Sequence, residues 1–96
     1  MAERVIKDVG LRPLTEANEA DYLRKVQATL GFLERGDGVR VSVHLRGREI
    51  THPEAGEHVL HRFAAALGAA AVIATAPHGE GTPVRTVVMV VMPREN

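Results

Sequence analysis

Eight consecutive residues, Val39 to Arg46, alternate without a break: Val39, Val41, Val43 and Leu45 are aliphatic, while Arg40, Ser42, His44 and Arg46 are polar or basic. Side chains along a strand point alternately to opposite faces. This period of two therefore describes a half-buried β-strand, with its aliphatic face to a core and its polar, partly basic face to water. Such a sheet needs covering on one side only. The chain has 96 residues, enough for one such core and not for two. That core is aliphatic by necessity, because the sequence holds no Trp, one Tyr and two Phe.

The rest of the chain supplies the cover. Val5, Ile6, Val9 and Leu11 form a short apolar run stopped by Arg12-Pro13. The residue before a proline is pushed toward extended geometry, so the run predicts a first strand, with Gly10 a candidate bulge. Residues 1–4 are expected to be disordered, and residues 14–19 read as polar linker. From Glu19 to Glu34, Leu23, Val26, Leu30 and Leu33 recur at three- and four-residue steps, one stripe of a helix flanked by Tyr22 and Phe32. Gly36-Asp37-Gly38 stops it. After the alternating strand and Gly47, Thr51 and Glu54 have the spacing of a capping box for a second helix, with Pro53 in its first turn. Val59, Leu60, Phe63, Ala64 and Leu67 are its buried stripe, and Gly68 its stop. Residues 69–75 predict a third strand, residues 76–83 a loop, and Val84 to Met92 a valine-dense strand suited to the centre of a sheet.

The expected fold is therefore α+β: a two-layer sandwich, β-α-β-α-β-β, in which two helices cover one face of a four-stranded mixed sheet. At least one strand–helix–strand unit should give a parallel pair, and the last two strands an antiparallel hairpin. One domain spans residues 5–93, followed by a short tail at 94–96.

Composition excludes several functions. There is no cysteine, so disulfides, thiolate metal sites and a cysteine nucleophile are absent. No apolar run reaches the length of a membrane span, and the start of the chain lacks a signal-peptide core, which predicts no membrane association. Twelve basic residues balance twelve acidic ones, so contact with nucleic acid has to come from a local patch instead of bulk charge. His52, His58 and His61 cluster around helix 2, but a metal needs three or four convergent ligands and nothing convincingly completes the set. The one serine, Ser42, lies in mid-strand without a base. Asp8, Glu49 and Glu80 are loop or strand-end acids without an obvious partner. Neither a catalytic centre, a metal site nor a cofactor is expected.

The arginines remain. Lys7 and Arg12 bracket the end of strand 1, Arg40 and Arg46 share the polar face of strand 2, Arg48 follows Gly47, and Arg85 begins the last strand. Glycine between two arginines lets the backbone turn, and two guanidinium forks can then reach neighbouring phosphates. A solvated charged turn is the alternative reading of these residues alone.

Ordered motifs add to this reading. Arg12-Pro13, Asp21-Tyr22, Phe32-Leu33-Glu34-Arg35-Gly36-Asp37, Arg46-Gly47-Arg48-Glu49, His52-Pro53 and Met89-Val90 follow one another along residues 5–93. In this order they resemble the C-terminal domain of bacterial translation initiation factor 3. The resemblance implies a cytoplasmic protein that is not an enzyme and that binds the small ribosomal subunit through ribosomal RNA. It also implies hindrance of large-subunit joining. The contact residues that it implies are Lys7, Arg12, Arg40, Arg46, Arg48, Arg62 and Arg85, acting on phosphate and sugar, and the expected state is a monomer.

The chain also departs from that family. Gln27, Gly31, Gly38 and His44 stand where the family carries basic residues, the loop before Arg85 keeps only that arginine, and the tail is Arg94-Glu95-Asn96. These departures predict a divergent relative, with a stand-alone chain and an excised domain as the two alternatives. Each lost phosphate contact flattens the salt dependence of binding by nearly one unit of slope. Weakened RNA affinity is expected, and the alternative function is a protein-interaction module, with a protein partner, on the same fold.

Overall fold

A computed structural model of the chain describes residues 5–13 and 16–94. The expectations for residues 1–4 and for the end of the tail, 95–96, lie outside the described residues. The main elements are β1 (Ile6–Leu11), α1 (Glu19–Glu34), β2 (Gly38–His44), α2 (Glu54–Leu67), β3 (Ala71–Glu80) and β4 (Thr86–Pro93). The strands form one sheet in the order β1-β2-β4-β3, with β1 and β2 parallel and β4 antiparallel to both of its neighbours. This is the expected α+β sandwich with a mixed four-stranded sheet. The last strand inserts between β2 and β3, so its valines are central as their density predicts.

Alternation places the core. Register pairs Val39 with Val91, Val41 with Met89 and Val43 with Val87, and all six side chains are fully buried beneath the helices. Leu60 and Phe63 of α2 and Tyr22, Val26 and Leu33 of α1 close the same cluster. β1 contributes Val9 and Leu11, in unbroken register with Val41 and Val43, so Gly10 is no bulge. Its carbonyl instead accepts a 2.7 Å hydrogen bond from Lys25 Nζ. No helix among the described residues is long and apolar enough to cross a membrane.

Helix α1 has the expected bounds but a partly different buried face. Its buried positions are Tyr22, Val26, Thr29 and Leu33, whereas Leu23 is 56% exposed and Leu30 only partly buried. Val26 and Leu33 are buried as expected, while the stripe rotates to take in Tyr22 and Thr29 in place of Leu23 and Leu30. Two local facts account for the rotation. Tyr22 packs edge-to-face on Phe63, with ring centroids 5.9 Å apart and planes at 77°. Thr29 hides its hydroxyl by donating to the Lys25 carbonyl at 2.8 Å, so a polar residue fits the core without an unmet hydrogen bond.

Strand β3 starts later and runs longer than expected, through Glu80. His78, Gly79 and Glu80 pair with Val88, Val87 and Thr86, and of two register irregularities, between Ile73 and Thr75 and between Thr75 and His78, the second takes up Pro77. A stretch that reads as a loop is thus drawn into the sheet by pairing along the length of β4. The connecting turn occupies 81–85, which leaves Arg85 just before β4, and Pro93 is the last residue of that strand.

Gly31 sits inside α1 with nothing within 4 Å of where a Cβ would be. Gly31→Ala is expected to stabilise the domain by about 0.5–1 kcal/mol, by lowering the entropy of the unfolded chain. An unchanged or lower urea midpoint would contradict this.

Tyr22 offers a second check, since it is the single tyrosine. Its hydroxyl is buried without a hydrogen-bond partner among the described residues. Burial raises its pKa above the ordinary value of 10.0, an effect partly offset by the Arg62 guanidinium. The native state therefore holds this proton more tightly than the unfolded chain does. The associated stability is fully present below about pH 10 and is lost as pH rises through the raised native value. Tyr22→Phe should flatten the alkaline fall in thermal midpoint relative to wild type, while leaving stability at neutral pH nearly unchanged. Parallel alkaline profiles would refute the assignment.

Candidate nucleic-acid interface

The end of β2 is tied down before the paired arginines begin. Leu45 is buried in the core, and its N–H donates to the Arg85 carbonyl at 2.8 Å. Arg46 remains extended, with φ −133° and ψ 143°, and the chain then enters a short 3₁₀ turn, Gly47–Thr51. Gly47 has φ 56°, in the left-handed region where a side chain is disfavoured. Glu49 closes the turn: its Oε1 accepts the Arg46 N–H at 2.8 Å, and its own N–H donates to the Arg46 carbonyl at 3.1 Å. Thr51 Oγ1 donates back to the Arg48 carbonyl at 2.7 Å.

This single capping contact, from the Arg46 N–H to Glu49, stands one short turn before the expected Thr51–Glu54 box. Helix α2 begins at Glu54 after Pro53, with no side-chain cap. Thr51 is unavailable because its hydroxyl already serves the 3₁₀ turn. The geometry of that turn, not of α2, sets where Arg46 and Arg48 stand.

Parallel pairing supplies the third arginine. Leu11 pairs with Val43, so the next step along both strands sets Arg12 beside His44. Asn18 donates from Nδ2 to the Pro13 carbonyl at 3.1 Å and holds the exit of β1 against the start of α1. Arg12, Pro13, Asn18, His44, Arg46, Arg48 and Glu49 line one surface depression of about 390 Å³. Among the described residues its one carboxylate, on Glu49, is engaged by a backbone N–H. Among the described residues Arg12, Arg46 and Arg48 form no salt bridge, and these three exposed arginines line one open depression. Such an arrangement suits a polyanion with several acceptor oxygens.

Residues 4–94 match the family described as translation initiation factor IF-3, C-terminal domain. The chain belongs to this family. It is 40% identical over 90 residues to a translation initiation factor IF-3 of Xanthomonas campestris pv. campestris, covering 94% of this chain and 47% of the relative. To that of Geobacter sulfurreducens it is 40% identical over 89 residues, covering 93% and 49%. To that of an Anaeromyxobacter species it is 43% identical over 76 residues, covering 79% and 32%. The chain spans about half the length of the first two of these relatives.

The remaining basic residues singled out in this IF-3-type domain do not join the depression. Arg85 lies beside it through the backbone contact with Leu45, and its N–H donates to the Glu80 carbonyl at 3.1 Å. Arg40 is on the uncovered face of the sheet, where Nη2 donates to Glu80 Oε1 at 2.9 Å and Nη1 stands 4.0 Å from Asp8 Oδ1. Lys7 and Arg62 are on the helical side. Lys7 Nζ lies 5.9 Å from the centre of the Phe32 ring. Arg62 stacks 5.4 Å from the Tyr22 ring centre, with Nη2 at 3.9 Å from Glu19 Oε1. The seven residues thus divide into a convergent trio, one neighbour, and three at separate places.

Sequence reasoning gave no role at the site to Asn18 or Glu49. Asn18 lay in what read as linker, and nothing local marks its bond to Pro13. Glu49, three residues after Arg46, carried the signal of a capping contact. Of the histidines around helix 2, His52 Nδ1 is 3.2 Å from Glu54 Oε1, while His58 and His61 are exposed. The Glu54 carboxyl is held below its ordinary pKa by its own backbone N–H and then by His52. Among the described residues there is no group of three or more metal-ligating side chains.

Proposed function

We propose that this domain binds the small ribosomal subunit through phosphates of its ribosomal RNA and hinders joining of the large subunit, acting as a cytoplasmic monomer. The observation that carries the reading is the convergence of Arg12, Arg46 and Arg48 on one depression, with no carboxylate among the described residues paired to any of them. The similar proteins carry the name translation initiation factor, which agrees with it. Guanidinium forks on a rigid turn recognise the spacing of phosphates along an RNA backbone without reading bases. The zero net charge keeps this affinity local and modest. Co-sedimentation with purified small subunits at low and moderate salt is the test, comparing wild type with Arg46→Ala plus Arg48→Ala. No binding by wild type at low salt, or equal binding by both proteins, would end this reading.

A second reading, a protein-interaction module, draws on an apolar row across the uncovered face. Ile6 and Met92 meet over Gly38, Met92 pairs with Val72, and both Ile6 and Val72 are exposed. Affinity capture separates the two: a defined protein recovered without ribosomal RNA favours the module, and RNase-sensitive recovery of subunits favours the ribosomal role.

A further inference from the structure

Four ionisable side chains form a line over the uncovered face of the sheet. Asp8 on β1 stands 4.0 Å from Arg40 on β2, Arg40 bonds Glu80 on β3 at 2.9 Å, and His78 Nε2 lies 3.8 Å from the second oxygen of Glu80. Arg40 and Glu80 are not neighbours in the sheet. Arg40 is in register with Val90, whereas Glu80 is in register with Thr86 and through it with His44. The two side chains therefore meet diagonally across β4. That diagonal passes over Val88, which is 2% exposed although no helix lies on its side. The pair is a cover for the centre of this face as well as an ion pair.

A carboxylate and a phosphate present the same kind of acceptor oxygens to a guanidinium fork. On this face the fork of Arg40 is already filled, and carboxylates stand on both of its sides. We propose that Glu80 is an internal phosphate mimic: it holds Arg40 away from ribosomal RNA, so that the face has a latent second phosphate subsite separate from the Arg12–Arg46–Arg48 depression. The inference rests on the ribosomal-RNA reading above. Both partners are partly exposed, and exposed ion pairs are weak, so removal of the Glu80 charge is enough to free Arg40 without unfolding the sheet.

The test is binding to purified small ribosomal subunits over a salt series, with wild type, Glu80→Gln, Arg40→Ala, the double variant, and Glu57→Gln. Glu57 is exposed on α2, so its variant reports the loss of one negative charge elsewhere. Glu80→Gln should bind about five-fold tighter than wild type at low salt and steepen the log–log salt slope by about 0.7–0.9 unit, one phosphate's worth. The gain should vanish in the Arg40→Ala background, because only coupled residues depart from additivity. Binding by wild type with no gain in Glu80→Gln, a gain matched by Glu57→Gln, or a gain that survives Arg40→Ala would overturn this inference alone. Absence of binding by all five proteins would overturn the ribosomal reading and this inference with it.

Discussion

Phe63→Ala is expected to destabilise the domain by about 3–5 kcal/mol, the range for emptying a fully buried phenylalanine site. Phe63 is completely buried on α2 and meets the edge of Tyr22 from α1, so it joins both helices to the sheet. Its removal takes away apolar burial and leaves a cavity. It also loses an aromatic contact worth about 0.5–1.5 kcal/mol beyond area alone. Small domains have only about 5–15 kcal/mol in total, so the variant should be partly unfolded on modest heating. The midpoint of thermal unfolding should fall by roughly 15–30 °C. Phe63→Leu keeps most of the volume and should cost far less. A loss below about 1 kcal/mol for the alanine variant would mean that α2 does not dock through this residue.

The second large effect concerns binding. Arg46→Ala plus Arg48→Ala removes two of the three guanidinium groups at the depression while leaving Gly47 and the Glu49 carboxylate, which accepts the backbone N–H of residue 46, to form the turn. Removing two phosphate contacts should reduce the log–log salt slope by about 1.4–1.8 units. Wild type then falls more steeply with salt than the variant. The affinity gap should therefore narrow by about ten-fold between roughly 50 and 200 mM salt. A gap that stays constant with salt would mean that the arginines act through folding or neutral contacts, not through phosphate. Thermal midpoints of the two proteins should agree closely, because both side chains are exposed.

These two predictions draw on different kinds of information. The burial of Phe63 was legible in the spacing of Val59, Leu60, Phe63 and Leu67, and the glycine stop at Gly68, with φ 58°, ends the helix as read. Likewise Glu19 to Glu34 is helical over the span that its pattern and the following glycines describe. The buried face of α1 was legible only at Val26 and Leu33. Hydrophobicity ranks Leu23 above Thr29, but Thr29 satisfies its hydroxyl within its own helix and Tyr22 reaches Phe63 across to the other one.

For the site, Arg46-Gly47-Arg48-Glu49 could be read as a turn presenting arginines because its geometry is set by adjacent residues. Which other basic residues belong with it could not. Lys7 pairs with Val39 and so shares the helical face, whereas Arg40 pairs with Asp8 on the opposite one, a division that exists only once β1 and β2 adopt this register. Glu80 read as a loop acid without a partner, and only its pairing with Thr86 brings it within reach of Arg40.

By itself, then, the sequence determined the period of each long element and the α+β class, because periods of two and of about 3.6 and their glycine stops are local properties of the chain, while its ordered motifs carried the resemblance to the family. Only the tertiary structure decided that β4 enters between β2 and β3, that β3 extends to Glu80, and that Arg12 joins Arg46 and Arg48 while Arg40 is held by Glu80. The reason is physical: strand order and register are choices among pairings of residues far apart in the chain. They are settled by which arrangement buries the most aliphatic surface with its backbone hydrogen bonds made.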